Sequence, residues 1–476
     1  MITKEPLKIL VVGNHTCANR GDSAILRGLA EALEKLLPNC KLTLLSRFPD
    51  GSSYLLGRTC LADPLYSGRG ALSQDWRKAF MWAFAGRFAP LMLAIQLFCR
   101  GISIRSLWPS RYRAFSKLLY EHDLVIQVGG SFFVDLYGAT QYEHAMLSIL
   151  NNKPILLIGH SVGPFRGQIF RAMSKITLRR VDEIVLREEL SGRLLKELRV
   201  GENKVTVGGD TAWLVDAPAC PRPLRLNSHR PLVAITVRNL APFEERLAIS
   251  QTAYEVKFAE LSENLIDNGF DVLAVSCCTG LDSYANDDRM VAIRIRRRLR
   301  RPGRFHVVME ELNDVQLGEY LSCCRCTVGT RLHSTIISMR FGTPALAIYY
   351  EHKSQGIFEK LGLKHRSFSI NEMNLPHFNN ELKEILSRPE VARADVVEIV
   401  AREAEITRTA LSKAIGKVLN RQESAPAAEL RIYSKNGCGC HRTGALRFSK
   451  LLRFFRSRAR YMLLPRGRVA RRVCGR

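Results

Sequence analysis

The sequence predicts an α/β protein of two domains, each built around a parallel sheet. The first observation is length, because 476 residues suffice for two or three domains of ordinary size. The second is that short apolar runs ending in glycine alternate with patterns in which apolar residues recur every three to four positions. The third is that this alternation occurs twice, on either side of a proline-containing linker at residues 220–229. Two such series predict two Rossmann-like domains that face each other across a cleft.

Each element follows from its own local pattern. The first apolar run is followed by a helical pattern that opens at Asp22, a good candidate for the helix N-cap. A second helix is predicted at residues 168–178. The predicted strands cover residues 8–13, 42–45, 123–129, 154–159 and 183–186 in the first series and residues 232–237, 272–276, 306–309, 326–329 and 344–349 in the second. The predicted units are an N-terminal domain at residues 1–225, a C-terminal domain with closing helices at residues 226–420, and a basic tail at residues 421–476.

The charge balance predicts anionic partners. The formal net charge is +26, which favours phosphates, acidic sugars, an anionic membrane surface or nucleic acid. The tail carries 15 Lys/Arg against 2 Asp/Glu, and apolar side chains lie among the basic ones from Leu446 to Leu464. A nucleic-acid arm would not need this apolar share, so we predict no nucleic-acid partner and expect the tail to lie on an anionic membrane surface. The alternative is a tail that is merely solvated.

A second basic segment, residues 75–118, interrupts the first series. It contains eight Lys/Arg and a single acidic residue, with tryptophan and phenylalanine among them. This composition predicts an amphipathic insertion that lies in a membrane interface. The alternative is a helical excursion that covers the sheet with its apolar face.

The sequence predicts a cytoplasmic protein that associates peripherally with the inner membrane. Its longest clean apolar run, residues 88–98, is too short to span a bilayer, and the N-terminus leads directly into a strand without a cleavage site. Several of the 13 cysteines lie in apolar runs and are expected to be reduced and buried. No metal site is predicted, because Asp282, Asp287 and Asp288 lack the spacing of a calcium loop and fit a solvated turn or helix start.

The segment Gly329-Thr-Arg-Leu-His-Ser334 carries the strongest chemical signal. It follows a strand and opens a helix, where backbone N–H groups bind anions, and Arg331 adds a fork of donors. His333 lies in the first turn and could act as an acid or base near neutral pH. Local packing of a lone histidine is the alternative. Arg238 ends the first strand of the second series and is predicted to bind a carboxylate or phosphate, with an interdomain salt bridge as the alternative.

Polar loops also follow the strands of the first series. The first loop lacks the glycine pattern of a dinucleotide site, and its polar side chains suit sugar hydroxyl groups. The glycines of the next loop would let a ligand approach the backbone. The predicted substrate-binding residues are Asn14, His15, Asn19, Asp22, Gly129, Gly130, Ser131, Asp135 and His160, together with Ser334 of the second series.

Five segments taken together resemble the polysaccharide pyruvyl transferase family. The resemblance runs in order from about Ile9 to about Leu419, and the combination is highly specific although each segment alone is not. The likeness is strongest to members that act in colanic-acid biosynthesis, and the tail has no recognised counterpart. The five segments are residues 13–26, 127–138, 158–165, 210–216 and 329–334.

The resemblance implies a GT-B-like fold and a specific reaction. A pyruvyl group would move from phosphoenolpyruvate to a sugar of a colanic-acid-like exopolysaccharide repeat unit, as a ketal. Apart from the resemblance, the basic tail and insertion lead us to expect a lipid-linked oligosaccharide as the acceptor. The family's donor-site arginine and histidine fall on Arg238 and His333, and its acceptor side lies in the N-terminal domain. The alternative is a GT-B nucleotide-sugar glycosyltransferase, which would release a nucleoside diphosphate in place of phosphate.

The implied chemistry requires one acid and one base, together with groups that shield the developing charge. It requires no redox cofactor. We expect His333 to act as proton donor or phosphate ligand, with Arg238 and Arg331 as anion clamps. The base stays open among four residues, which are His15, Asp22, Asp135 and His160.

Overall fold

Two parallel sheets organise the chain. The computed structural model describes residues 5–66, 88–99, 105–218, 228–241, 244–349 and 352–424. The first sheet contains β1 (Lys8–Asn14), β2 (Lys41–Ser46), β3 (Cys60–Ala62), β4 (Leu124–Gln127), β5 (Gly130–Phe133), β6 (Ile155–Val162), β7 (Glu183–Leu186) and β8 (Val205–Val207). The second contains β9 (Leu232–Thr236), β10 (Asp271–Ala274), β11 (Phe305–Val307), β12 (Cys326–Gly329), β13 (Ala345–Tyr349) and β14 (Ser367–Ser369).

The strand orders are those of doubly wound α/β domains. The first sheet runs β3-β2-β1-β4-β6-β7-β8 with β5 paired to β6, and the second runs β11-β10-β9-β12-β13-β14. Numbered within its own domain, the second order is 3-2-1-4-5-6. Strands 2 and 3 are added on one side of strand 1 and strands 4 to 6 on the other, so the order reverses between strands 1 and 4. The crevices at these two reversal points, between β1 and β4 and between β9 and β12, are where ligands bind in such folds.

Helices cover both faces of each sheet. In the first domain they are α1 (Arg20–Leu36), α2 (Pro49–Leu56), α3 (Ser110–Tyr120), α4 (Glu143–Leu150), α5 (Gln168–Leu178) and α6 (Glu189–Glu197), with a further helical stretch at residues 88–98. The helices that follow are α7 (Glu244–Leu247), α8 (Gln251–Asp267), α9 (Arg289–Arg296), α10 (Asp314–Ser322), α11 (Leu332–Arg340), α12 (His352–Lys360), α13 (Pro376–Ser387) and α14 (Pro389–Ser424).

One hydrophobic cluster joins the two domains. It includes Leu29 of α1 and Trp213 from the first domain, and Leu317 of α10 and Ile336 of α11 from the second, all buried. Burying such apolar side chains contributes about 1.5–3 kcal/mol each, so this shared core fixes how the domains face each other. Two further clusters fill the remaining face of each sheet.

The long helix α14 returns the chain to the first domain. Near its end, Lys417 and Arg421 both pair with the buried carboxylate of Glu183 at the start of β7, at 3.1 and 2.7 Å. Close packing accompanies these pairs, since a Cβ on Gly208 would lie 2.7 Å from the Cβ of Ala410. The last helix of the C-terminal unit therefore bridges the two domains.

The predicted elements agree with the structure except at a few places. Helix 168–178 and strands 183–186 and 326–329 coincide with α5, β7 and β12, and the other predicted strands match to within a few residues. Four short strands, β3, β5, β8 and β14, were not predicted. The predicted N-cap is wrong, because Asn19 caps α1 by accepting the N–H of Gly21, and Asp22 lies within the first turn.

The described part of the basic insertion follows the alternative interpretation, a cover for the sheet. Trp108, Tyr112 and Phe115 are buried in the core of the first domain. Arg111 is also buried and pairs with Glu143 at 3.2 Å. These side chains are unavailable to a membrane interface. Residues 75–87 and 100–104 of the insertion, and the tail beyond Ser424 with Cys438 and Cys440, lie outside the described residues.

Three further expectations can be compared with the described residues. None of the helices there is long and apolar enough to cross a bilayer. Cys277, Cys278, Cys324 and Cys326 are buried free thiols, as expected, whereas Cys323 is exposed. Of the two interpretations of the three aspartates, the helix start is confirmed for Asp287 and Asp288, which directly precede α9. The solvated turn is wrong for Asp288, which is buried and accepts the N–H of Cys278.

Candidate active site

The reversal point of the second sheet brings the predicted donor residues to one edge of that sheet. Arg238 follows β9 by two residues, and the segment from Thr330 to Ser334 leaves the neighbouring strand β12 and begins α11. The side chain of Tyr254 links the two strand ends, since its hydroxyl accepts the N–H of Arg238 at 3.2 Å and lies 2.7 Å from the hydroxyl of Thr330. Strand order therefore places Arg238 and His333 on the same crevice.

His333 makes a contact with the other domain. Its Nε2 donates to Oδ2 of Asp210 at 3.2 Å, and the two residues lie 123 positions apart in the chain. The Asp210 carboxylate is 1% exposed, whereas the imidazole retains 18% exposure. Burial alone would raise the pKa of Asp210, but His333 and Arg187 hold it well below its usual range. A permanent carboxylate thus orients the imidazole and stabilises a positive charge on it.

Arg187 fixes Asp210 from within the first domain. It directly follows β7, and its Nη1 pairs with Asp210 Oδ2 at 2.7 Å. Its Nε donates to the hydroxyl of Ser161 at 2.7 Å and its Nη2 to that of Ser131 at 2.6 Å. Ser131, predicted to bind substrate, serves here as part of the scaffold that fixes Arg187.

Helix α1 closes over the imidazole from the first domain. A Cβ built on Gly21 would lie 2.7 Å from three atoms of the His333 side chain, so only glycine fits there without a shift. The next residue, Asp22, is half-buried in the cleft. Burial raises the pKa of Asp22 to about 6, against the opposing charges of His333, Arg47 and Arg331. The cleft thus places a carboxylate that titrates near neutrality close to the charge of His333.

Arg331 is engaged by a neighbouring carboxylate. Its Nε and Nη2 donate to the two oxygens of the buried Asp288 at 2.7 and 2.9 Å. This bidentate pair occupies two nitrogens of the guanidinium that was predicted to clamp a substrate anion. Arg238 is 8% exposed, and its Nε donates to the carbonyl of Asn239 at 2.9 Å.

Several predicted ligands are buried structural groups instead. Asn14 and Ser334 are 2% and 0% exposed, and both hydrogen-bond within the protein, Asn14 to Asp22 and Ser334 to Thr236. His160 is also fully buried, and its Nε2 donates to the carbonyl of Gln127 at 3.2 Å. Complete burial lowers the pKa of His160 to about 3. None of the three presents a side chain to the cleft.

The other predicted substrate-binding residues described below also make contacts within the protein. Asp135 accepts the N–H groups of Arg166 and Gly167 at 2.7 and 3.0 Å, at the start of α5. Gly129 packs against the backbone of β6, where a Cβ would lie 2.4 Å from a carbonyl oxygen, and Gly130 has a φ of +152°. Asn19, the cap of α1, also forms an isolated bridge with Cys278 of the second domain.

His15 belongs to a cluster of three rings at the cleft. Its centroid lies 5.7 Å from that of Phe48 and 5.7 Å from that of Tyr284, and the latter two are 6.1 Å apart. All three contacts are edge-to-face, a favoured geometry for aromatic rings. Burial, together with the charge of Arg47, lowers the pKa of His15 to about 4, so the ring is neutral at physiological pH.

The domains are also joined beside this site by buried ion pairs. Arg20 pairs with Glu311 and donates to the hydroxyl of Thr279 at 2.9 Å. Arg27 binds both oxygens of Asp314, at 2.7 and 3.0 Å. The first half of α1 is therefore tied to the second domain by two ion pairs.

Asp210, Arg187 and Asp288 were missed by sequence reasoning. Arg187 offered the same signal as Arg238, a charged residue directly after an apolar strand. Asp210 lies within one of the five family-like segments but carried no signal of its own. In the described residues, no group of three His, Cys, Asp or Glu side chains is arranged to hold a metal ion.

Comparison with solved structures supports the fold class. S. aureus MnaA, solved with UDP, superimposes with a TM-score of 0.52 at 13% identity over 87% of this chain and 97% of that one. A UDP-GlcNAc 2-epimerase from Neisseria meningitidis, bound to UDP-GlcNAc, gives a TM-score of 0.51 at 11% identity over 86% and 100%. At such identities the similarity extends to the GT-B-like fold alone.

Sequence comparison identifies the family. The amylovoran biosynthesis protein AmsJ of Erwinia amylovora is 41% identical over 374 residues, which cover 77% of this chain and 89% of AmsJ. The family model for polysaccharide pyruvyl transferases matches residues 19–352, which include Arg187, Asp210 and His333. The fold, the shared crevice and these matches agree, and the chain belongs to the polysaccharide pyruvyl transferase family.

Proposed function

We propose that the protein transfers the pyruvyl group of phosphoenolpyruvate to a sugar of an exopolysaccharide repeat unit, as a ketal. The observation that carries this proposal is the His333–Asp210 pair. It holds a partly exposed imidazole at the start of a helix, with a buried carboxylate to stabilise the charge that a proton donor carries. Such a group suits protonation of an anionic enol ester.

The proposed first step protonates the donor. His333 gives a proton to the methylene carbon of phosphoenolpyruvate, and an oxocarbenium-like centre forms at the adjacent carbon. A hydroxyl of the acceptor sugar attacks that carbon and gives its proton to the base. Phosphate then leaves, a second hydroxyl attacks, and the cyclic ketal closes. The two acceptor hydroxyls release two protons in total. One of them restores the proton that His333 gave to the methylene carbon, and the other is carried away by the released phosphate.

Among the four candidate bases, we favour Asp22 and His15. Asp135 is occupied by two backbone N–H groups and His160 is fully buried. Asp22 is the better match, because its pKa of about 6 leaves it ionised yet basic near neutral pH, while His15, with a pKa of about 4, is a weak base. Asp22 is therefore proposed as the base.

The second domain is proposed to bind the donor anion. Arg238 and the N-terminal N–H groups of α11 border the same crevice as His333, and both favour phosphate or carboxylate. Arg331 contributes its positive charge, while its fork stays on Asp288. No redox cofactor is needed for any step.

The acceptor is proposed to be a lipid-linked oligosaccharide of a colanic-acid-like polymer, reached at the cytoplasmic face of the inner membrane. Similarity to AmsJ, an amylovoran biosynthesis protein, supports an exopolysaccharide acceptor. The basic tail, whose composition suits an anionic leaflet, supports the membrane location.

The deciding experiment is incubation of the protein with phosphoenolpyruvate and lipid-linked oligosaccharide, followed by mass spectrometry. We expect a pyruvyl ketal on the glycan and an equal amount of released phosphate. Parallel reactions with nucleotide sugars test the glycosyltransferase alternative. Sugar addition with release of a nucleoside diphosphate, and no ketal, would contradict the proposal.

A further inference from the structure

Arg47 lies at the carboxyl edge of the first sheet, one residue after β2. Its guanidinium carbon is 3.6 Å from the centroid of the Tyr66 ring, which fixes the plane of the group. Its Nη2 donates to the side-chain oxygen of Gln141 at 2.9 Å. The main-chain carbonyl of Gln141 accepts from the side-chain amide of Gln127 at 3.3 Å. The guanidinium is thus held in one orientation by buried partners.

Most of its donor capacity is unused. A guanidinium carries five N–H donors, and in the described part of the chain Arg47 uses one. Its Nε is buried and has no hydrogen-bond partner there, an arrangement that is costly unless a ligand completes it. Arg187, by contrast, uses all three of its nitrogens, on Asp210, Ser161 and Ser131, and Arg331 uses two of its nitrogens on Asp288.

Arg47 lies beside residues that line the cleft. Its charge acts on both His15 and Asp22, which places the guanidinium close to the proposed base. The adjacent residue, Phe48, joins the three-ring cluster with His15 and with Tyr284 of the second domain. A second carboxylate within its field, Asp63, is already paired with His144 at 2.7 Å.

We infer that Arg47 binds a carboxylate of a substrate from the N-terminal wall of the cleft. A guanidinium held in one plane, with four of its five N–H donors unused in the described part of the chain, matches the two oxygens of a carboxylate. On the opposite wall, the N-terminus of α11 offers the N–H groups that suit phosphate. The inference rests on the proposed function, and the carboxylate has two sources, which are the donor's own carboxylate and an acidic sugar of the acceptor.

Direct binding measurements separate these sources without turnover. Isothermal titration calorimetry is performed with phosphoenolpyruvate, with a uronic-acid disaccharide and with its carboxyl-reduced form. The variants are Arg47→Gln and Arg47→Lys. Arg297→Gln provides the matched control, since it removes the same charge from an exposed arginine just beyond α9. Circular dichroism shows which variants are folded, and the charge-preserving lysine keeps the test open if glutamine is not tolerated.

Arg47→Gln should weaken one of the two carboxylate ligands by about 10- to 100-fold, as expected for loss of a charge-assisted hydrogen bond. Arg47→Lys should weaken the same ligand less. A loss for phosphoenolpyruvate assigns the donor carboxylate, and a loss for the uronic-acid disaccharide alone assigns the acceptor. If folded Arg47 variants match Arg297→Gln for both ligands, or if the carboxyl-reduced sugar loses equally, the inference is overturned. Ketal formation by the unmodified protein is measured in parallel, and its absence would count against the proposed function alone.

Discussion

The Asp210→Asn substitution tests whether the interdomain contact of His333 drives the reaction. We expect it to lower kcat by about 10²–10⁴-fold, the contribution of a positioned general acid. The affinity for phosphoenolpyruvate should change little, because Asp210 is buried behind the imidazole and does not face the crevice. The effect should therefore appear in kcat rather than in KM.

The size of the effect follows from how the carboxylate is shared. One oxygen, Oδ2, accepts from Arg187 at 2.7 Å and from His333 at 3.2 Å. An amide has a single acceptor oxygen, and the shorter contact with a permanently charged guanidinium will claim it. The amide N–H₂ then takes the place of Oδ1, where it faces the N–H of Ala212, and the proton-donating form of His333 loses the counter-charge of the carboxylate. Breaking a buried ion pair lowers the free energy of unfolding by about 3–5 kcal/mol. Because Arg187 keeps its hydrogen bonds to the hydroxyls of Ser131 and Ser161, we expect a loss at the lower end of this range.

The assay is phosphate release with saturating acceptor, with circular dichroism and thermal melting on the same samples. Asp216→Asn is the matched control, because it makes the same chemical change at an exposed residue six positions along the chain that pairs with Lys35. The control should keep the activity of the unmodified protein. A folded Asp210→Asn variant with kcat close to that of the control would refute the role given to this contact.

Four further outcomes are expected. His333→Ala should lower turnover by about 10²–10⁴-fold in a folded protein, and near-normal phosphate release would remove it from the mechanism. Gly21→Ala places a Cβ 2.7 Å from the imidazole and should lower kcat by about 10²-fold with little change in the thermal midpoint. Because the pKa of Asp22 is raised to about 6, kcat/KM should fall as the pH drops below that value, and Asp22→Asn should abolish this acid limb of the pH profile. Above pH 6 the native carboxylate is charged despite its burial, so Asp22→Asn should also increase the free energy of unfolding there. Truncation after Arg421 should reduce sedimentation with anionic liposomes and spare activity on a short soluble acceptor, and equal partitioning would contradict the membrane hypothesis.

The fold was predictable because its central strands are buried on both faces. Such strands appear in the sequence as continuous apolar runs, and β7 and β12 match their predicted limits. The four strands that were missed have three or four residues each. Ser367–Ser369, for example, has no apolar run and is a strand only because it pairs with β13. Tertiary pairing of this kind has no local signature.

The shared location of Arg238 and His333 was predictable for a topological reason. Residues that follow the carboxyl ends of parallel strands border the ligand crevice of such a sheet, and this rule, together with the family resemblance, selected the two residues from the sequence. The rule gives no side-chain partners, and these decide what each residue can do. Arg331 and Ser131 were assigned to substrate, yet the structure gives them to Asp288 and Arg187.

Local ambiguity explains the remaining errors. Asn19 and Asp22 are both good capping residues three positions apart, and the sequence could not show which carbonyl opens the helix. His160 follows the predicted strand 154–159, much as Arg238 follows its strand, but β6 continues to Val162, and β5 pairs beside His160 and buries it. That strand is one of the four without a sequence signal, so its effect on His160 could not be anticipated.

The position of His333 makes its orientation conditional on the arrangement of the two domains. The imidazole belongs to α11 of the second domain, but its carboxylate partner and the glycine packed against it both belong to the first. Arg20 and Arg27 of α1, bonded to Glu311 and Asp314, hold the same helix against the second domain. Any motion that separated the domains would break these pairs and release His333 from Asp210 at once. The His333–Asp210 pair, on which the proposed mechanism rests, is therefore complete only while the two domains keep this arrangement.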